Sequence, residues 1–72
     1  MQDFDSLPDD DQAALLARLL NCLAADPTCR TIEDLAAQDG KTVNRYWADL
    51  CREVAVPECS VPNRLRGLDP RQ

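Results

Sequence analysis

The stretch TIEDLAAQDGKTVNRYWADLCREV, residues 31–54, decides the fold. It opens with Thr31 and, three residues on, Asp34, the hydroxyl-then-acid order of a helix start in which both side chains satisfy backbone N–H groups, with Asp replacing the usual Glu or Gln. Ile32, Leu35 and Ala36 then share one face of a short helix. Asp39-Gly40 ends it, because glycine takes the positive φ of a tight turn without a Cβ penalty. Beyond the turn, Val43, Tyr46/Trp47, Leu50 and Val54 recur at three- and four-residue spacing, which predicts a second amphipathic helix from about Thr42 to Ala55.

Upstream, Leu15, Leu16, Leu19, Leu20 and Leu23 make a longer helical stripe over Gln12 to Ala25, with Gln12, Arg18 and Asn21 off it. This helix is expected to start after Ser6-Leu7-Pro8-Asp9, where Ser6 or an early Asp can cap, Pro8 suits a first turn, and Asp9 to Asp11 favour the positive end of the helix dipole. Asp26-Pro27 ends it, since the residue before proline is pushed out of the helical region. Downstream, Pro57, Pro62, Pro70 and Gly67 interrupt every longer pattern and leave at most one helical turn around Asn63 to Leu68. The expected architecture is a small all-α three-helix domain. Residues 1–11 form an acidic N-terminal leader, 12–55 the three-helix core and 56–72 an irregular, proline-rich C-terminal tail.

At 72 residues and a net charge of −5, the chain has room for one thin core. The absence of histidine removes the Ser-His and Cys-His schemes of nucleophilic catalysis and the mixed zinc sites. No phosphate loop or nucleophile motif is present, so no enzymatic activity and no cofactor are expected. Charge is unevenly spread: the first 11 residues hold five Asp and no cation, whereas Lys41, Arg45, Arg52, Arg64, Arg66 and Arg71 outnumber Asp49, Glu53, Glu58 and Asp69 in the second half. An anion-binding surface therefore belongs to that half. No run reaches the roughly 18 apolar residues of a membrane span, and the start is acidic where a signal peptide is basic, so a cytoplasmic location with no membrane partner is expected.

Residues 31–54 resemble the helix-turn-helix of bacterial and phage DNA-binding regulators, and the tail is loosely similar to the version appended to some recombinases. The likeness is carried by the short capped helix, the Leu35-Ala36 pair, Gly40 four residues after Ala36, and the amphipathic helix that follows. It implies that Ala36 lets the two helices cross closely and that Tyr46 pins the recognition helix; a turn one residue longer gives the anchoring places to Trp47 and Leu50. It also implies sequence-specific DNA binding by a small regulator or recombination accessory, as a homodimer. Lys41, Thr42, Asn44, Arg45 and Arg52 would then face the major groove, Asn reading adenine, Arg reading guanine, and Lys and Thr meeting phosphates.

Two features stand outside that reading. Cys22, Cys29, Cys51 and Cys59 fit core packing as small hydrophobes, pairing of Cys22 with Cys29 or of Cys51 with Cys59, or a thiolate metal site, although their spacings exceed the two to four residues of zinc knuckles. Asp9, Asp10 and Asp11 either cap the first helix or present a carboxylate cluster to a basic partner. The second option gives an alternative function: a small acidic phage-type inhibitor, anti-CRISPR-like, that binds a nucleic-acid-binding protein.

Overall fold

Four helices carry the chain in the computed structural model, which describes residues 2–70. They are α1 (Asp9–Ala25), α2 (Ile32–Gln38), α3 (Val43–Glu53) and the single turn α4 (Asn63–Arg66). Two strands of two residues each, β1 (Gln2–Asp3) and β2 (Cys59–Ser60), pair in parallel with Gln2 opposite Cys59 and Asp3 opposite Ser60. The protein is a small all-α domain in which α2 and α3 form the expected helix pair around Gly40, whose φ is +69°. Lys41 N–H reaches back to the Ala36 carbonyl at 2.8 Å and Gly40 N–H to the Ala37 carbonyl at 3.0 Å, so the turn satisfies the carbonyls that the end of α2 leaves open.

Of the four helices only α3 has a side-chain cap at its start. Thr42 caps α3, its Oγ1 accepting from the Arg45 N–H at 3.2 Å. Thr31 precedes α2 without a side-chain cap, and the Asp34 carboxylate accepts instead from the Arg30 N–H at 2.9 Å, one residue ahead of the expected partner. Ser6 does not cap α1: the helix begins directly after Pro8, and Gln12 Nε2 donates back to the Leu7 carbonyl at 2.9 Å. Asp9, Asp10 and Asp11 fill the first turn of α1, where the helix dipole favours them.

The core runs through the middle of all three long helices. Leu15, Leu19 and Leu23 of α1 are sealed from solvent, while Leu16 and Leu20 sit half-buried at the edges of that stripe. They meet Ile32, Leu35 and Ala36 of α2 and Trp47, Leu50 and Cys51 of α3. Trp47 is 1% exposed, with Tyr46 half-buried beside it.

The terminal segments complete this core rather than hanging from it. Residues 1–11 do not form a free leader in their described part: Phe4 and Leu7 are buried, and the Phe4 ring lies 5.9 Å from the Trp47 ring at a tilt of 58°. Residues 56–70 add Val56, Cys59 and Leu65 to the same cluster. The two ends are clamped where the Arg64 guanidinium spans both Asp5 carboxylate oxygens, at 2.5 and 3.2 Å, and lies over the Phe4 ring. Among the described residues no helix is long and apolar enough to cross a membrane.

Candidate functional site

Helix α3 presents two different faces because its apolar residues are concentrated on one side. Trp47, Leu50 and Cys51 turn inward, and Arg45 and Arg52, two turns apart, stay exposed on the outer side with Ala48 and Asp49 between them. Asn44 stands exposed at the inner flank of that surface, and Lys41 and Thr42 lie at its N-terminal end. All five side chains expected to face DNA are thus gathered along one helix and the turn that leads into it.

Their present contacts differ. Lys41 Nζ holds Asp49 Oδ2 at 2.7 Å, a contact that raises the lysine pKa and lowers that of the aspartate. Arg52 Nε lies 3.6 Å from Glu58 Oε1 in the tail. Thr42 is occupied with capping. Glu53, the second carboxylate of α3, receives Arg18 Nε from α1 at 2.9 Å. Both acidic groups that would repel phosphate from this helix are therefore neutralised by neighbouring cations. Arg45 is the charge of α3 that no ion pair holds among the described residues.

Beside this face lies a groove of about 320 Å³, walled by Asn44, Trp47 and Ala48 from α3 and by Glu58 to Val61 from the tail. Nothing in the helical periodicity signalled the second wall. The one sequence hint was the bracketing of 58–61 by Pro57 and Pro62, which favours extended backbone. Arg71, counted with the basic half of the chain, lies outside the described residues.

None of the four cysteines is in a disulfide. Cys29, Cys51 and Cys59 are buried, and Cys22 is half-buried beside Tyr46, whose phenol is pushed up by burial and by its contact with that thiol. No three Cys, Asp or Glu side chains among the described residues converge as a metal-binding group. Asp9 and Asp10 are exposed and Asp11 half-buried at the start of α1, with no ion pair among the described residues. Set against known proteins, the chain matches no family model, no curated protein and no solved structure.

Proposed function

We propose that the protein binds DNA sequence-specifically, with α3 as the recognition helix of a helix-turn-helix pair. Asn44 and Arg45 are the base-reading side chains, and Lys41, Thr42 and Arg52 meet the backbone. The observation that carries this reading is the charge arrangement on α3: Asp49 and Glu53 are each held by a cation, and Arg45 stays exposed on the outer face with no ion pair among the described residues. A guanidinium in that state enters a major groove without breaking an ion pair, and an exposed Asn amide one residue away matches the edge of adenine. The net charge of −5 opposes non-specific attachment, so two copies on adjacent half-sites are needed for useful affinity.

Fluorescence anisotropy against a DNA pool enriched by selection tests this. The wild-type chain is expected to bind with a strong salt dependence, and Asn44→Ala with Arg45→Ala to abolish specific binding while circular dichroism stays unchanged. No salt-dependent binding at low ionic strength would overturn the proposal.

A second reading rests on the carboxylates of Asp9, Asp10 and Asp11, gathered at one helix start with no ion pair among the described residues. In it the protein is a small acidic inhibitor that occludes the basic site of a nucleic-acid-binding partner. Changing all three to Asn should then weaken partner capture in a pull-down, and undiminished capture counts against it.

A further inference from the structure

Cys51 ends the buried face of α3 and Cys59 opens β2, eight residues later. The chain returns between them because Ala55 takes φ +58° and the Val56 N–H donates to the Cys51 carbonyl at 3.0 Å. The return brings Cys59 into the same buried cluster as Cys51, where Cys59 is among the groups that shift the Cys51 thiol. Trp47 Nε1–H donates to Cys59 Sγ at 3.4 Å. Trp47 stands one turn before Cys51 on the same buried face, so the two thiols are neighbours in the core, and side-chain rotation with a small shift of β2 can bring them together.

Both are buried, but Cys59, 5% exposed, is part of the groove wall, whereas Cys51 is 0% exposed. Burial pushes the Cys51 thiol up to about 11, so it keeps its proton until a partner sulfur is presented. The strand that carries Cys59 is held by a ladder of two residues, so local opening toward the groove is inexpensive compared with unfolding the helices.

We propose that Cys51 and Cys59 form a reactive dithiol, converted to an intramolecular disulfide by low-molecular-weight disulfides that enter along the groove between α3 and β2. The Cys59 thiolate attacks one sulfur of the oxidant RSSR, forming Cys59–S–S–R and releasing RS⁻, which takes up a proton. The Cys51 thiol then loses its proton and its sulfur attacks that of Cys59, expelling the second RS⁻, which is protonated in turn. Two thiols and one RSSR give one protein disulfide and two RSH, with two electrons passing from protein to oxidant. The bond fastens β2 to the end of α3 and fixes the groove wall. The proposal is independent of the DNA-binding reading.

The test uses the folded full chain, incubated with oxidised glutathione without denaturant, then unfolded, alkylated, digested with trypsin and examined by mass spectrometry. The expected product is the cross-linked pair YWADLCR (46–52) and EVAVPECSVPNR (53–64). The intact chain should be about 2 Da lighter for the two hydrogens lost. Closing so short a loop should raise the Tm by about 10 °C, reversibly with dithiothreitol. Recovery of Cys51 and Cys59 as alkylated thiols, or as separate glutathione adducts, overturns the proposal. So does a glutathione-dependent rise in Tm that persists in Cys59→Ala.

Discussion

Two residues with opposite histories hold the left-handed backbone of this protein. Gly40 takes φ +69° at the turn between α2 and α3, with open space where a Cβ would stand, and Ala55 takes φ +58° after α3 without being glycine. The left-handed region costs an L-residue on the order of 1–2 kcal/mol, part of which a glycine-to-alanine change recovers by restricting the unfolded chain. Gly40→Ala should therefore destabilise by about 1 kcal/mol from backbone strain alone, and Ala55→Gly should stabilise by a similar amount. In a domain of this size each shift moves the Tm by roughly 4–8 °C, in opposite directions, on thermal melts followed by circular dichroism. A third residue reports on pH. Asp26, just past α1, accepts from the side-chain hydroxyl of Thr28 at 2.6 Å and from its backbone N–H at 3.0 Å, which with the Gln38 side chain holds its carboxyl down to about 2. Because the folded-state value lies below the ordinary 3.8, its contribution is complete above that value and is lost as pH falls through about 2. Stability should decline between pH 4 and pH 2, and Asp26→Asn should flatten that decline in denaturant titrations across the interval.

At the scale of elements, α3 depends on one side chain that the DNA reading also uses. Thr42 caps the helix through the Arg45 N–H, so Thr42→Ala should cost about 1 kcal/mol, while Thr42→Asp, which supplies an acceptor of its own, should hold stability near the wild type. Chemical denaturation of the two variants separates the cap from a phosphate contact: Asp keeps the first and repels the second. A Thr42→Ala chain as stable as the parent would contradict the assigned cap. The buried Leu15, Leu19 and Leu23 of α1 and the positive φ of Gly40 were legible because a helical stripe and a glycine turn are local properties. The burial of Trp47 rather than Tyr46 was not, since both fit the spacing and contacts with distant Phe4 and with Cys59 separate them.

At the scale of the molecule, the two ends of the chain meet on α3. Phe4 packs on Trp47, β1 pairs with β2, and Asp5 binds Arg64 across 59 residues of sequence. Phe4→Ala should cost about 3–5 kcal/mol, close to the whole stability expected of so small a core. Thermal melts should show that variant largely unfolded at 37 °C, and a chain lacking residues 1–8 should melt without a cooperative transition. An acidic leader with no structural part would leave both melts unchanged.

The helices, their order and the turn at Gly40 follow from local patterns, because helix periodicity, proline punctuation and glycine's backbone freedom act over a few residues. Folding in three dimensions is what puts Phe4, Leu7, Val56, Cys59 and Leu65 into the core and selects which α3 charges are paired. It also brings Cys59 into the cluster that holds Cys51 and builds the groove wall from residues 58–61. The placement of the two ends depends on strand pairing and ring packing between segments more than forty residues apart, and no local pattern encodes which distant partner a short apolar run will meet.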